Sequence, residues 1–240
     1  MKSLLLFAFA LLFSLSGVMA QQPPVTGNVP VAVSSGGGQY GSLFANLMNK
    51  RTKAEYATLG TPYLFDYWTT GTVDIDGQTY VLEQVKLDLI EKALEVIFDG
   101  EQKYIDAYRF TRFTLYDQEN NKAVYFTNSN LYKVGGKRLD SGIMKVTQVG
   151  EYNILTHMKA RLVHPSQAQL INGVDPRPKV VKENFLYLEH DGVVLPIRRK
   201  KDLEKALRRH QGKLKRYMKE NKVNVKNEAD LMGLLIYIQQ

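Results

Sequence analysis

The amino-acid sequence predicts a mainly β protein, either an antiparallel β-sandwich or an open barrel of about ten short strands, with a C-terminal αα-hairpin. From residue 72 to residue 197, short apolar segments recur at regular spacing and are separated by turn dipeptides such as Asp-Gly, Asn-Asn and Gly-Gly. After residue 200 the apolar residues recur with helical spacing instead. This change of period places the sheet before the helices in the chain.

The N-terminus has the pattern of a cleavable signal peptide over residues 1–20. Lys2 supplies the positive charge, residues 4–15 are almost entirely apolar, and Val18-Met19-Ala20 meets the small-residue rule for cleavage. The apolar stretch is too short to span a hydrocarbon core of about 30 Å. We expect cleavage after Ala20 and export to the periplasm or the medium, and a buried apolar helix is the alternative.

The segment after the signal peptide predicts a linker. Residues 21–41 are rich in Pro, Gly and Ser without helical periodicity, which is typical of a flexible tract. A short helix is predicted over residues 42–59, where Leu43, Leu47 and Tyr56 share a face. The expected organisation is a signal peptide (1–20), a linker (21–41), a β-rich domain (42–197) and a basic helical hairpin (198–240).

The chain contains no cysteine. In an exported protein this excludes a disulfide framework, a structural zinc site built on cysteines and a lipid anchor on cysteine, so burial must stabilise the core. Beyond the apolar N-terminus no stretch approaches 18 consecutive apolar residues. We therefore expect no transmembrane segment once the signal peptide is removed.

Turn dipeptides define the predicted hairpins. Asp76-Gly77, Asp99-Gly100 and Asp191-Gly192 each separate two apolar segments, and an Asp-Gly pair tolerates the positive φ that a two-residue turn requires. Apolar segments bounded by such turns predict an antiparallel meander. The predicted strands cover residues 73–75, 79–82, 85–89, 94–98, 104–105, 110–116, 123–127, 131–134, 143–148, 152–163, 185–188 and 193–195.

The C-terminal region predicts two helices. Residues 200–221 place Lys and Arg around an apolar stripe, which predicts one amphipathic and strongly basic helix. Asn227 is a candidate N-cap, with Glu228 and Asp230 in the first turn, for a second helix. We expect the two helices to form a hairpin against the sheet. The stripe consists of Leu203, Ala206, Leu207, Leu214, Tyr217 and Met218.

The net charge of +8 is unevenly distributed. Residues 198–226 contain 13 Lys or Arg against Asp202, Glu204 and Glu220, a surplus of ten, so the rest of the chain has a net charge of −2. The basic character therefore belongs to the C-terminal segment.

Both ends of the predicted folded region resemble an uncharacterised family of exported bacterial β-rich proteins with a basic C-terminal helical hairpin. Residues 60–68 (Gly-Thr-Pro-Tyr-Leu-Phe-Asp-Tyr-Trp), followed by residues 71–73 and an Asp-Gly turn, are similar to the opening of such proteins. Residues 200–203, 217–222 and 227–235 are similar to their C-terminal helices. The resemblance implies export and this architecture, and it transfers no activity, ligand or catalytic residue.

The sequence lacks the common catalytic motifs. It has no Gly-x-Ser-x-Gly, no phosphate-binding Gly-rich loop, no His-Glu-x-x-His and no calcium-binding loop. His157 and His164 are seven residues apart on one predicted strand, so they are expected on opposite faces and do not predict a shared metal site. We expect His157 to be exposed beside Lys159 and Arg161. No catalytic residue, cofactor or metal is predicted.

Two further groups of residues admit a functional and a structural interpretation. The acidic residues of the first strands could supply a general acid and base, but alternating carboxylates are also expected on a solvated sheet face, which we favour. The aromatic residues before the first strand could form a stacking platform, but we favour a plug at one end of the core. The acids are Asp74, Asp76, Asp88, Glu91 and Glu95, and the aromatics are Tyr63, Phe65, Tyr67 and Trp68.

The basic helix is the main functional candidate. Its cations could bind lipid phosphates or acidic polysaccharides through salt-sensitive electrostatics, or they could only keep a helix face soluble. Export makes nucleic acid an improbable partner, and an envelope surface or a protein is the partner expected. The sequence predicts a non-enzymatic envelope or secreted binding module, with a hydrolase that uses an Asp/Glu site on the sheet as the alternative. The candidate binding residues are Arg208, Arg209, Lys213, Lys215 and Arg216.

Overall fold

The computed structural model describes residues 31–32, 57–75, 78–98 and 100–240. The predicted signal peptide, most of the predicted linker and the Asp76-Gly77 turn lie outside the described residues. The predicted helix over residues 42–59 lies outside them as far as residue 56. Its last three residues are not helical, because Leu59 forms a β-bridge with Lys179.

The described chain contains thirteen strands and four α-helices, with short 3-10 turns at Ala107–Arg109, Ser129–Leu131 and Arg208–His210. The strands are β1 (Val31–Ala32), β2 (Thr69–Ile75), β3 (Gln78–Asp88), β4 (Ala93–Phe98), β5 (Glu101–Asp106), β6 (Arg112–Asp117), β7 (Lys122–Asn128), β8 (Lys133–Val134), β9 (Lys137–Arg138), β10 (Ile143–Val149), β11 (Tyr152–Val163), β12 (Lys179–His190) and β13 (Val193–Pro196). The helices are α1 (Gln167–Ile171), α2 (Lys200–Ala206), α3 (Gln211–Glu220) and α4 (Glu228–Gln239).

Ten strands form one antiparallel sheet in the order β13-β12-β11-β10-β7-β6-β2-β3-β4-β5, and β1 adds to β3 in parallel. Strands β8 and β9 form a separate hairpin. The mainly β fold with C-terminal helices is as the sequence predicts. The sheet is open, because the end strands β13 and β5 are not paired with each other in the described structure.

The predicted turns position the strands. Asp191 and Gly192 have φ of 51° and 74°, as a hairpin turn with two left-handed residues requires, and β12 pairs with β13 directly beside them. Gly100 has φ of 72° between β4 and β5. The sequence suggested two strands in residues 79–89, whereas β3 is one long strand. Its first half pairs with β2 and its second half with β4.

Two apolar clusters lie on the same face of the sheet, because the register aligns Phe126, Lys145, Thr156 and Leu186 across β7, β10, β11 and β12. The first cluster fills the half formed by β2 to β7 and includes Phe126. The second lies between β10 to β12 and the C-terminal helices and includes Leu186. We call this face the helix face. A third cluster covers Met144, Leu155, Tyr187 and Val194 on the opposite face, beneath the β8–β9 hairpin.

The C-terminal helices differ from the single basic helix that the sequence predicts over residues 200–221. Leu207 has φ of −106° and ψ of 37°, which ends α2, and the chain passes through the 3-10 turn before α3 begins. The break lets Leu203 of α2 and Leu214 of α3 both remain fully buried against the sheet. Helix α3 then packs against α4, so the predicted hairpin is present.

Helix α1 lies between the predicted strands over residues 152–163 and 185–188, where the sequence predicts no helix. Ser166 accepts a hydrogen bond from the Gln169 amide while the Gln169 side chain accepts one from the Ser166 amide, a capping box that starts the helix. No residue of α1 is buried, which explains why no apolar periodicity indicated it. None of the helices described is long and apolar enough to cross a membrane.

Candidate functional site

The five predicted binding residues lie on two neighbouring elements. Arg208 and Arg209 belong to the 3-10 turn, and Lys213, Lys215 and Arg216 belong to α3. All five side chains are exposed. The five side chains are therefore accessible to solvent, and their binding role stays a prediction.

Helix α3 has a clear buried side. Leu214 is fully buried, and Tyr217 and Met218 are half-buried beside it. With 3.6 residues per turn, the opposite side presents Gly212, Lys215, Arg216 and Lys219. We call these four residues the outward face of α3. It carries three cations and no carboxylate.

Lys213 has a structural contact that the sequence did not indicate. Its Nζ donates a hydrogen bond of 3.2 Å to the carbonyl oxygen of Ile238, near the carboxyl end of α4. A cation at the end of a helix also offsets the partial negative charge there. Lys213 therefore links the two helices and is less available to a ligand than the other four cations.

The other candidate cations have no side-chain hydrogen bond or ion pair with any residue that the structure describes: Arg208, Arg209, Lys215 and Arg216. Other arginines of the chain do form ion pairs. Arg161 pairs with Glu183 at 3.1 Å, and Arg177 pairs with Asp175 at 2.7 Å. The C-terminal hairpin thus presents unpaired guanidinium and ammonium groups, which suits the binding of an anion.

A polar cluster fixes α4 to the sheet. Glu228, at the start of α4, lies 2.6 Å from Lys145 Nζ and accepts hydrogen bonds from the hydroxyls of Thr147 (2.6 Å) and Thr156 (2.9 Å). Burial raises the pKa of Glu228, but Lys145 and the two hydroxyls outweigh it and leave the pKa below its ordinary value. Asn227 caps the helix by accepting from the amide of Ala229 at 2.8 Å, as its predicted N-cap role requires.

A cleft of about 310 Å³ lies between the β12–β13 hairpin and the segment from α2 to the 3-10 turn. We call it the basic cleft. The helical side carries Lys205, Arg208 and Arg209, and the β12–β13 side carries apolar residues together with His190 and Asp191. The sequence places the two arginines on the predicted basic helix over residues 200–221 and does not indicate that they also line this cleft. The rest of the lining consists of Tyr152, Leu188, Val193, Leu195 and Ala206.

Two histidines meet at one end of the basic cleft. His190 stacks on Tyr152 with ring centroids 4.6 Å apart, and its Nε2 lies 3.5 Å from Glu151 Oε2. The other oxygen of Glu151 lies 3.8 Å from His210 Nε2. The Nδ1 atom of His190 lies 3.4 Å from Asp191 Oδ2. In the sequence, His190 directly precedes the Asp191-Gly192 turn and His210 lies within the predicted helix over residues 200–221. Only the fold brings the two histidines to one carboxylate.

Tyr152 is the buried residue of this group. Burial, reinforced by the charge of Glu151 and a hydrogen bond to it, raises the pKa of Tyr152 to about 12. Its hydroxyl is therefore protonated at neutral pH and acts as a hydrogen-bond donor. It does not have the lowered pKa of a phenolate nucleophile.

The expectation that His157 is exposed is wrong. The residue is 2% exposed, and among the described residues its Nε2 has no hydrogen-bond partner. It lies on the face opposite the helices, where Gly142 closes over the ring: a Cβ added to Gly142 would lie 2.4 Å from that nitrogen. Burial, and then the nearby charge of Lys159, lowers the pKa of His157 to about 4. His164 directly follows the end of β11 and is exposed.

The carboxylates considered for a hydrolase are divided between surface and interior. Asp74 and Glu91 are exposed, as a solvated face requires, and Asp76 lies outside the described residues. Asp88 and Glu95 are buried, which corrects the expectation for these two. Asp88 accepts hydrogen bonds from the backbone amides of Ile90 (2.9 Å) and Glu91 (3.0 Å). Glu95 accepts from the Tyr63 hydroxyl at 2.5 Å and from the Gln102 amide.

The aromatic residues before β2 are all half-buried. Phe65 packs against the first apolar cluster and stacks on Tyr67 at 5.3 Å, which fits the predicted plug. Tyr63 and Trp68 instead flank the Lys86 ammonium, whose nitrogen lies 4.9 and 5.2 Å from their ring centres. These rings therefore contact a cation of the protein itself.

In the part of the chain that the structure describes, no group of three His, Asp or Glu side chains has an arrangement that could hold a metal ion. Comparison with protein-family models, with curated proteins and with solved structures finds no match to this chain. The candidate functional surfaces of the protein are therefore the C-terminal hairpin and the basic cleft.

Proposed function

We propose that this protein is an exported, non-enzymatic binding module of the bacterial cell envelope, and that it contacts an anionic surface through the outward face of α3. The observation that carries the proposal is the set of unpaired cations on that face and on the 3-10 turn before it. Exposed helix faces that serve only solubility usually mix charges of both signs. The outward face of α3 holds Lys215, Arg216 and Lys219 without a carboxylate.

The position of α3 also supports the proposal. Its opposite side is anchored by Leu214 in the second apolar cluster, and Lys213 ties it to α4. The cations are therefore presented by a helix that is already folded, so binding to a surface costs little ordering of the backbone. Export would place this face among anionic lipids and polysaccharides, and nucleic acid is not proposed as a partner.

The proposal is tested by co-sedimentation of the purified protein with vesicles, either of phosphatidylcholine alone or with phosphatidylglycerol added. We expect binding only to the anionic vesicles, and weaker binding as salt rises, because screening shortens the reach of surface charge to about 8 Å at physiological ionic strength. The double variant K215E/R216E should bind at least about tenfold more weakly, since each cation near an anionic membrane contributes about 1 kcal/mol.

The matched control is the double variant K137E/R138E on β9. Both residues are exposed, and the charge change is the same, but the β8–β9 hairpin covers the sheet face opposite the helices. We expect this variant to bind like the parent protein. Equal loss in both variants would show that net charge governs binding. No binding by the parent protein to anionic vesicles would contradict the proposal outright.

A further inference from the structure

We propose that the basic cleft binds the phosphate group of a phosphate monoester that carries an organic substituent. The inference rests on the proposed function, because it names the anionic chemistry that this end of the molecule recognises. It assigns the recognition to a different set of residues, in the cleft and not on the outward face of α3. An experiment can therefore contradict this inference and leave the proposed function standing.

The charges of the cleft leave three cations for a ligand. Lys205, Arg208 and Arg209 have no carboxylate within ion-pair distance among the residues described. The two acids nearby, Asp191 and Glu151, each face a histidine, at 3.4 Å and at 3.5 and 3.8 Å. Neither acid forms an ion pair with Lys205, Arg208 or Arg209, so the three cations keep their hydrogen-bond donors for a ligand.

The number of cations favours a phosphate monoester over a carboxylate. A carboxylate has two oxygens, which one guanidinium satisfies in a bidentate pair. A phosphate monoester has three terminal oxygens and a charge of about −1.5 to −2 at neutral pH, so it can accept hydrogen bonds from several cations at once. Arg208 and Arg209 supply forked donors, and Lys205 supplies a point charge beside them.

The apolar residues opposite the cations are the reason to expect an organic substituent on the phosphate. The cleft volume of about 310 Å³ exceeds what a phosphate group alone would fill. Leu188, Val193 and Leu195 line the wall of the β12–β13 hairpin opposite the cations. Val193 is 59% exposed, although it is an apolar strand residue. The carbon skeleton of a ligand would cover it and remove that surface from water.

The end of the cleft is preorganised. The stacking of His190 on Tyr152 fixes the orientation of both rings, and Glu151 lies between His190 and His210. Leu203 and Leu207 of the segment that carries the cations are each 1% exposed, so that segment is anchored in the core. A ligand would therefore meet a formed site and would not have to order it.

The test uses isothermal titration of the full protein with glycerol 3-phosphate, with glycerol and acetate as control solutes. Two variants of equal charge change are compared: K205Q/R209Q in the cleft and K215Q/R216Q on the outward face of α3. We expect the cleft variant to bind glycerol 3-phosphate at least about tenfold more weakly, since it loses two charge-assisted contacts. The outward-face variant should bind within about twofold of the parent. Thermal unfolding of both variants checks that they fold.

A second arm separates a lipid headgroup from a soluble phosphate. Vesicles with phosphatidic acid, a monoester, are compared with vesicles of equal surface charge that contain phosphatidylglycerol, a diester. The inference holds for a lipid source if the parent protein prefers phosphatidic acid and only the cleft variant loses that preference. This result supports the inference even if titration with glycerol 3-phosphate gives no heat. Binding that both variants weaken equally, without preference for the monoester, would overturn the inference and leave the proposed function standing. No binding to any probe would overturn both.

Discussion

His157 illustrates, at the scale of one residue, how a polar side chain on a strand becomes part of a core. Charged residues follow it at Lys159 and Arg161, a pattern typical of a solvated face. The segment that contains Asp140 and Gly142 nevertheless covers the ring, and the structure describes no hydrogen-bond partner for the Nε2 atom of His157. The neutral imidazole is then the form that the fold favours, because a buried charge without a partner is costly.

The first prediction concerns the pH dependence of stability at His157. Its pKa falls from 6.5 to about 4 on folding, so the unfolded chain binds more protons between these values. The stability that the neutral imidazole contributes is fully present above pH 6.5 and is lost as the pH falls towards 4. The loss of unfolding free energy is at most about 3 kcal/mol. The variant H157L should show a flatter decline in unfolding free energy over this range, measured by urea denaturation.

The control for this prediction is H164L. His164 is exposed at the end of β11, so its replacement should leave the pH dependence of the unfolding free energy unchanged. A variant H157L whose stability falls between pH 6.5 and 4 as steeply as that of the parent protein would contradict the assignment.

At the scale of elements, α4 is held by its two ends and its apolar side. Asn227 caps it, Glu228 joins it to β10 and β11, and Lys213 binds a carbonyl near its carboxyl end. Leu231, Leu234, Leu235 and Ile238 fill the second apolar cluster. The polar contact of Glu228 therefore fixes the start of the helix at one position on a largely apolar interface.

The second prediction tests this anchor. The variant E228Q leaves the Lys145 ammonium without its ion-pair partner, and we expect a loss of about 2 kcal/mol of unfolding free energy at neutral pH. Because the pKa of Glu228 is lowered in the folded protein, the parent should also lose unfolding free energy as the pH falls below 4.5, the ordinary pKa of a glutamate. Chemical denaturation at several pH values measures both effects.

The exposed Glu220 at the end of α3 provides the matched control. The variant E220Q should change the unfolding free energy by less than about 0.5 kcal/mol. If E228Q were as stable as E220Q, the ion pair would not contribute to holding α4.

The third prediction concerns glycines in two elements. A Cβ on Gly71 of β2 would lie 2.5 Å from the Thr114 carbonyl oxygen and 2.9 Å from Leu115. A Cβ on Gly212 of α3 would have no atom of the described residues within 4 Å. G71A should destabilise the fold by about 1 to 3 kcal/mol through overpacking. G212A should stabilise it by up to about 1 kcal/mol, because Ala is the better helix former. Thermal unfolding that ranks the two variants in the reverse order would contradict this account.

At the scale of the whole molecule, charge and fold are arranged together. The surplus of ten positive charges lies in residues 198–226, and the fold places that segment on the helix face beside the edge strand β13. The remaining sheet carries a small net negative charge. One end of the molecule is therefore electropositive, and both the outward face of α3 and the basic cleft lie there. A charge asymmetry of this kind orients the protein towards an anionic partner.

The sequence by itself determined the strand-rich class, most of the hairpins, the C-terminal helices and the location of the positive charge. Each follows from a local signal: the φ preferences of Asp-Gly at residues 191 and 192, the period of Leu203 to Met218, and the N-cap Asn227. Local signals are read within a few residues along the chain. They are preserved when the chain folds because tertiary packing here agrees with them.

Only the tertiary structure decided which side chains meet. Three residues from distant segments meet at one point: Glu151 from the turn before β11, His190 from the end of β12 and His210 from the 3-10 turn. No periodicity in the sequence connects them. The burial of His157, the ion pair of Glu228 and the break at Leu207 depend equally on what covers each segment. The physical reason is that burial and ion pairing are set by contacts between distant segments, whereas propensity and periodicity act within one.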